Sequence, residues 1–207
     1  MKIGCDPEFI FRDKDGMQVY ANTILQNGDF GMDGHSSTGE IRPKPAENSL
    51  QLVANIRKLL KEGFNHEEIN ELDMLAGHFK LGNPIGGHIH ISGFEMNMPT
   101  LADKLVKVVM RLSTCIDNMD ERKTRKDCGY GDREENGYRQ QSNNWIEFRR
   151  PGSWLLSPQV AFLNLWLAEA TCYAYINGQN EAFDKLDKHR SCNSLIKFAE
   201  HMKDVPN

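Results

Sequence analysis

Four short segments of the chain each place two polar residues two positions apart in a setting typical of a β-strand. They are Asp6-Pro7-Glu8, Glu40-Ile41-Arg42, His88-Ile89-His90 and Glu147-Phe148-Arg149. Residues i and i+2 of a strand point to the same face of a sheet. If the strands pair, one face therefore collects three glutamates, an aspartate, two histidines and two arginines. Such a face is unfavourable unless metal ions or a charged substrate compensate it, which predicts an enzyme that handles metal and phosphate.

Length and composition narrow the class of protein. A chain of 207 residues suits one domain, and a net charge of −4 argues against general nucleic-acid binding. The most apolar stretch, residues 155–176, contains Pro158, Gln159, Asn164 and Glu169, which indicates a buried helix rather than a membrane span. The first residues carry no apolar signal segment. We therefore expect a cytoplasmic protein with no nucleic-acid or membrane partner and leave its oligomeric state open.

The hydrophobic pattern mixes strands and helices. It predicts strands over residues 2–11, 17–21, 39–42, 78–81, 87–93 and 145–149. It predicts helices from 48 to about 61, from 99 to about 120, from 157 onward and within 180–202, and a helical turn in 67–75. Residues 121–144 form a long, charged loop of the kind that is often functional. We expect one α+β domain over residues 1–207, with helices on one face of a mostly antiparallel sheet.

Five cysteines are scattered along the chain without a CxxC pair: Cys5, Cys115, Cys128, Cys172 and Cys192. Their odd number and irregular spacing match neither a disulfide framework nor a zinc site. Reduced thiols are the rule in cytosolic proteins. We therefore expect all five cysteines to be free.

The segment His88-Ile89-His90 is the sharpest local signal for a metal. Ile89 would face the core while the two imidazoles point outward together, and alternating histidines commonly bind metal ions. A pair of hydrogen-bonded histidines on a polar sheet face is an equally good account of this motif alone.

Three glutamates strengthen the functional interpretation. Glu8, Glu40 and Glu147 each lie beside bulky apolar residues, so a strand would half-bury their carboxylates. Clustered carboxylates suit Mg²⁺, which prefers oxygen ligands and often bridges to phosphate. Structural salt bridges with neighbouring arginines are the alternative for any one of them. For all three together with the histidine pair, we favour a site.

Arginines supply candidate anion-binding groups. Arg42, Arg139 and Arg149 could bind phosphate or a substrate carboxylate, which guanidinium groups do through two parallel hydrogen bonds. Tyr130-Gly131 and Gly137-Tyr138-Arg139 could form a lid over a nucleotide, and an ordinary surface loop has the same composition. The sequence has no P-loop motif and no strand-linked GxGxxG motif.

Taken together, the motifs resemble those of the phage-type carboxylate–amine ligases, or amidoligases, relatives of glutamine synthetase and glutamate–cysteine ligase. The matching segments run in order from residue 4 to about residue 158, whereas the helices of residues 157–207 carry no recognisable motif. The segments are Gly4-Cys5-Asp6-Pro7-Glu8, Asp33-Gly34-His35, Gly39-Glu40-Ile41-Arg42-Pro43, Gly86-Gly87-His88-Ile89-His90 and Ile146-Glu147-Phe148-Arg149.

The resemblance implies a curved antiparallel sheet, similar to that of glutamine synthetase, whose concave face binds ATP and Mg²⁺. ATP would phosphorylate a small-molecule or peptide carboxylate, and an amine would then attack the acyl phosphate to form an amide. By position, the resemblance implies the metal ligands Glu8, Glu40, His88 and Glu147 and the catalytic arginines Arg149 and Arg139. As further residues that bind substrate or nucleotide we expect Arg42, His90, Asp6 and Tyr130.

Two alternatives remain. A cupin-like metalloprotein would use Gly82, His88, His90 and Glu95, which fit the first cupin motif. However, the closing glycine of that motif is replaced by Ala102, and no further histidine occurs before His189. A non-catalytic binding protein that retains the fold is the other alternative. Release of ADP in the presence of Mg²⁺ would separate the ligase from both.

Overall fold

The computed structural model describes residues 1–34, 37–130, 137–187 and 192–203, and every structural statement below concerns these ranges. The strands are β1 (Lys2–Arg12), β2 (Gln18–Val19), β3 (Phe30–Met32), β4 (Gly39–Ile41), β5 (Asp73–Leu75), β6 (Phe79–Lys80), β7 (Asn83–Pro84), β8 (Gly87–Ser92), β9 (Tyr138–Ser142) and β10 (Trp145–Phe148). The helices are α1 (Ala21–Ile24), α2 (Ser49–Gly63), α3 (Met98–Ile116), α4 (Met119–Asp127), α5 (Pro158–Ile176), α6 (Asn180–Asp187) and α7 (Cys192–Lys203).

The main sheet is built around the long strand β1. Its strands follow the order β3-β4-β1-β8-β10-β9, and β2 and β5 also pair with β1. Every pairing between described strands is antiparallel. The described sheet ends at β3 and β9, so it is open rather than closed into a barrel. A cupin needs a closed double-sheet barrel, and we drop that alternative.

One face of the central strands forms the hydrophobic core. Ile89 and Ile91 of β8 and Ile146 and Phe148 of β10 are almost completely inaccessible to solvent. They pack in one cluster with apolar residues of α3 and α5. The mixed α+β architecture with an antiparallel sheet, predicted from the sequence, is confirmed. The opposite face of the same strands is left for polar side chains.

Capping residues set the starts of the long helices. The side chains of Asn48, Asn97 and Ser157 accept hydrogen bonds from backbone N–H groups in the first turns of α2, α3 and α5, respectively. Pro99 and Pro158 lie in the first turns of α3 and α5, where a missing N–H costs nothing. These are the starts that the sequence predicts.

Several predicted boundaries were wrong. Residues 121–144 are not one loop, because they contain the end of α4 and the strand β9. The helix predicted to run to about residue 120 ends at Ile116, and the predicted turn at 67–75 ends in strand β5. The strand predicted at 17–21 shrinks to β2, because α1 begins at Ala21. Strand β6 pairs with β7 and lies apart from β8, which pairs with β1 and β10.

The prediction of free thiols was wrong for Cys115. Cys5, Cys128 and Cys172 are free, as expected, but Cys115 is disulfide-bonded. Sequence spacing could not reveal this bond, because it depends on which distant residues meet in the folded chain.

Across the described ranges, every helix is too short or too polar to cross a membrane. Three residues named in the sequence analysis, His35, Gly131 and His189, lie outside the described ranges.

Candidate functional site

The register of the sheet brings the four polar segments onto one face. Asp6 pairs with His88 across β1 and β8, and Glu8 pairs with Glu40 across β1 and β4. His90 pairs with Glu147 across β8 and β10. Residues paired across neighbouring strands point to the same side of a sheet. The shared face predicted for the four segments is therefore confirmed.

Asp6 is the centre of a compact acid–imidazole cluster. Its two carboxylate oxygens lie 3.3 Å from His88 Nδ1 and 3.2 Å from His90 Nε2. His88 Nδ1 is also 3.5 Å from Glu147 Oε1. Ligand atoms of Asp6, His90 and Glu147 lie within 4.8 Å of one another, which is close enough to share one metal ion. This trio differs from the predicted metal set, of which only Glu147 belongs to it.

Glu147 also connects the cluster to the two predicted catalytic arginines. Its Oε1 atom lies 3.1 Å from Arg149 Nε, and its Oε2 atom lies 3.7 Å from an Arg139 Nη atom. Arg139 is directly opposite Glu147 across β9 and β10. Because Arg149 follows Glu147 by two residues, both side chains leave the strand on the polar face. The structure thus joins the three groups in one network.

Glycine at position 86 makes room for His88. A Cβ atom at this position would lie 2.6 Å from His88 Nε2, which is closer than real Cβ contacts. The backbone N–H of Gly86 also donates a 2.7 Å hydrogen bond to Glu8 Oε2. Gly86 therefore positions the Glu8 carboxylate through its N–H group and leaves space for the His88 imidazole.

The pKa values reflect the crowding of charge on this face. Burial would raise the pKa of Asp6, but hydrogen bonds from His88 and His90 outweigh it and hold that pKa well below its usual range. Burial and the nearby Asp6 charge raise the pKa of Glu40 to about 9, despite an ion pair with Arg42. Burial likewise raises the pKa of Glu8. Glu8 and Glu40 are therefore harder to ionise than free glutamates.

A cavity of about 540 Å³ opens over this face. Eight of the ten predicted site residues line it: Asp6, Glu8, Glu40, His88, Tyr130, Arg139, Glu147 and Arg149. A volume of this size accommodates a small-molecule ligand. The cavity walls come from strands that are far apart in sequence, which is why only the folded sheet assembles them.

Two predicted binding residues lie outside the lining of this cavity. His90 is held against Asp6 at one end of the polar face. Arg42 donates hydrogen bonds to the carbonyl oxygens of Gly28, at 2.8 Å, and Met32, at 3.1 Å, and it pairs with Glu40. Through these contacts, Arg42 holds the segment around β3 in place. Its role in binding substrate stays a prediction.

The cavity also contains residues that were not predicted as site residues. Asp33, Thr38 and Asn83 line the end that is formed by the segments after β3 and around β7. Thr38 Oγ1 donates a 3.3 Å hydrogen bond to Asp33. The only sequence signal for them was Asp33, which belongs to one of the motifs that carry the resemblance.

Buried Arg125 is a second addition from the structure. It projects from α4, in the part of the chain predicted as loop, and donates a 3.1 Å hydrogen bond to the carbonyl of Arg150. Its other amino group lies 3.5 Å from the carbonyl of Arg149. Arg125 thus supports the strand end that carries Arg149.

Comparison with known proteins identifies the family of the chain. No curated protein is similar enough in sequence to be matched to the chain. A family model described as "Phage phiEco32-like COOH.NH2 ligase-type 2" matches residues 3–192, a range that contains every candidate site residue. Because this match covers most of the 207 residues, the chain belongs to the phage phiEco32-like family of type 2 COOH.NH2 ligases, a name that denotes enzymes joining carboxyl and amino groups.

Proposed function

We propose that this protein is an ATP-dependent ligase that joins a carboxylate to an amine through an acyl phosphate. One observation carries the proposal: carboxylates, histidines and arginines from four neighbouring strands converge on one sheet face, over a cavity of about 540 Å³. The carboxylates need compensation by a cation, and the arginines need an anion. A metal–nucleotide complex supplies both.

The donor chemistry of the cavity fits Mg²⁺. Among the described lining residues are five carboxylates: Asp6, Glu8, Asp33, Glu40 and Glu147. Hard oxygen donors of this kind suit Mg²⁺ better than softer metals. Glu8, Glu40, Glu147 and His88 would bind the metal, and Asp6 and His90 lie close enough to Glu147 to contribute. Bound Mg²⁺ would neutralise the triphosphate and the phosphoryl group during transfer.

The arginines account for the first chemical step. A carboxylate oxygen of the substrate attacks the γ-phosphorus of ATP, the bond to ADP breaks, and an acyl phosphate forms. Arg149 and Arg139 lie beside Glu147 at the cavity wall, where they can bind the phosphoryl oxygens and the substrate carboxylate. Their fixed positive charges favour the negative charge that moves onto the oxygens during transfer.

The second step forms the amide. The amine nitrogen attacks the acyl carbon, the carbon–oxygen bond to phosphate breaks, and the nitrogen loses a proton. The acidic end of the cavity, where Asp33 lies near Glu8 and Glu40, suits the approach of an ammonium group. A neighbouring carboxylate there can accept the proton that the nitrogen releases.

The proposal is tested by incubating the purified protein with Mg-ATP and a panel of small-molecule and peptide carboxylates and amines. We expect ADP, phosphate and an amide in equal amounts with at least one pair, and no product without Mg²⁺. Once a pair is known, a carboxylate labelled with ¹⁸O should transfer one labelled oxygen to the released phosphate. An amide formed with unlabelled phosphate would exclude the acyl phosphate.

The non-catalytic alternative predicts a different result from the same panel. A binding protein would retain nucleotide or carboxylate without releasing ADP. Tight binding of Mg-ATP together with no ADP release across the whole panel would favour that alternative.

A further inference from the structure

A second cavity, of about 280 Å³, lies between helices α2 and α5, away from the polar sheet face. None of its described lining residues also lines the cavity over the polar face. Its wall on α5 consists of Phe162, Trp166, Glu169, Ala170 and Tyr173. These residues are spaced by four, three, one and three positions, so they follow one face of the helix. Ala170 leaves the space between the larger side chains.

The floor of this cavity carries the buried carboxylate of Glu169. Glu169 is 8% exposed, and its Oε2 atom accepts a 2.8 Å hydrogen bond from the backbone N–H of Ser49. In the described parts of the chain, no lysine, arginine or histidine lines the cavity, and the hydrogen-bond partner of Glu169 is the Ser49 N–H group. The N-terminus of α2 offsets part of this charge. A buried carboxylate is costly, and a cation on its open side would add to the compensation from the helix.

The other walls offer what an organic cation needs. Phe162, Trp166 and Tyr173 present aromatic rings, whose faces attract cations and whose area takes up alkyl groups. The exposed carboxylate of Glu47 adds negative charge near the Tyr173 ring. Burial raises the pKa of the Tyr173 hydroxyl, and the charges of Glu169 and Glu47 raise it further, which places both carboxylates near this ring.

We propose that the cavity between α2 and α5 binds a small organic ammonium ion, with its charge on Glu169 and its alkyl groups against Trp166, Phe162 and Tyr173. Inorganic cations are less suitable, because the rings cannot replace the water that such ions give up. The cavity volume suits a ligand smaller than a typical drug molecule. This site would exist whether or not the polar face catalyses amide formation, because the two cavities share no described lining residue.

Calorimetric titration with choline, and with 3,3-dimethylbutan-1-ol as its uncharged isostere, tests this proposal on the unmodified protein. We expect choline to bind at least about tenfold more tightly than the alcohol, a ratio that corresponds to about 1.4 kcal/mol. Equal binding of the two compounds would show an apolar pocket without charge recognition and would overturn the proposal. Absence of choline binding would overturn it as well.

Two variants and one control locate the binding. Glu169→Gln removes the charge and keeps an oxygen that can accept the Ser49 hydrogen bond, so the start of α2 should persist. It should weaken choline binding about tenfold and leave binding of the alcohol unchanged. Trp166→Leu should weaken the binding of both choline and the alcohol. Glu181→Gln removes an exposed carboxylate of α6 and should change neither affinity.

If Glu169 only caps α2, Glu169→Gln would lower thermal stability without changing the ratio of the two affinities. That outcome would contradict the proposal. The variant Glu147→Gln on the polar face should bind choline as the wild type does. Loss of catalysis in that variant therefore leaves this test intact, and the two proposals can fail independently.

Discussion

The two faces of strand β10 bury side chains of opposite chemistry, apolar on one face and charged on the other. Ile146 and Phe148 point into the core and are fully buried among the side chains of α3 and α5. Glu147 lies between them in sequence, yet it faces the other side, where it meets His88 and Arg149. It is 6% exposed, almost as buried as its apolar neighbours. Burial alone therefore does not distinguish the two faces, whereas the chemistry of the buried atoms does.

The apolar face stabilises the fold, whereas the polar face lowers the stability of the fold unless its charges are compensated. Burying Ile146 and Phe148 removes apolar surface from water and favours folding. Burying Asp6, Glu8, Glu40 and Glu147 on one side is unfavourable unless the charges find partners. The histidines and arginines provide only part of that compensation. A sheet that retains such a face is explained most simply by a ligand that completes it.

The largest effect is expected on the apolar face. Phe148→Ala removes a fully buried ring from the cluster with α3 and α5 and should lower the free energy of unfolding by about 3–5 kcal/mol. Chemical denaturation monitored by circular dichroism measures this loss. A decrease below about 1 kcal/mol would show that this face does not form the core.

On the polar face, Arg149→Lys should lower turnover by a factor on the order of 10²–10³, equivalent to roughly 3–4 kcal/mol of activation free energy. Lysine keeps the charge but loses the planar fork that can bind two phosphoryl oxygens. The thermal midpoint should remain close to that of the wild type. Steady-state ADP release at saturating Mg-ATP is the measurement.

The matched control is Arg12→Lys at the far end of β1, where Arg12 pairs with Asp73 at 2.6 Å on the surface. This exposed pair contributes little to stability, so neither turnover nor the thermal midpoint should change. If Arg149→Lys kept wild-type turnover and lost stability, Arg149 would be a structural partner of Glu147 and not a catalytic group.

A smaller effect should follow from Gly86→Ala. The added methyl group would meet His88 Nε2 at 2.6 Å, so the ring must move. We expect a loss of about 1–3 kcal/mol in unfolding free energy, together with reduced turnover at temperatures where the variant is folded. Gly28→Ala is the control, because its Cβ would be 3.9 Å from the nearest atom. Equal behaviour of the two variants would remove the argument for a tight space around His88.

Much of this arrangement was predictable from the sequence, because strand alternation is a local property. The outward phase of Glu8, Glu40, His88 and Glu147 follows from their spacing relative to buried neighbours, and the sheet register agrees with it. The starts of α2, α3 and α5 were predictable because Asn48, Asn97 or Ser157 and nearby prolines fix the first turns locally.

The features that sequence reasoning missed depend on contacts between distant residues or on patterns without apolar periodicity. Helix α4 has few apolar residues, and it is stabilised by the Asn118 cap with acidic residues in its first turn and basic residues in its last turn. Strand β9 gains its hydrogen bonds from β10, which no local pattern reveals. Asp33 and Asn83 enter the cavity only because the segments that carry them fold over the sheet.

We propose that the polar face of the sheet performs the chemistry, and the variant Glu147→Gln tests this role. Glutamine keeps the size of the side chain but removes the charge that meets His88, Arg139 and Arg149. Amide formation with Mg-ATP should be measured beside the thermal midpoint, with Glu62→Gln on the exposed surface of α2 as the control. Our account predicts loss of at least about 10²-fold in amide formation with the fold retained. Amide formation at the wild-type rate by a folded Glu147→Gln variant would contradict it.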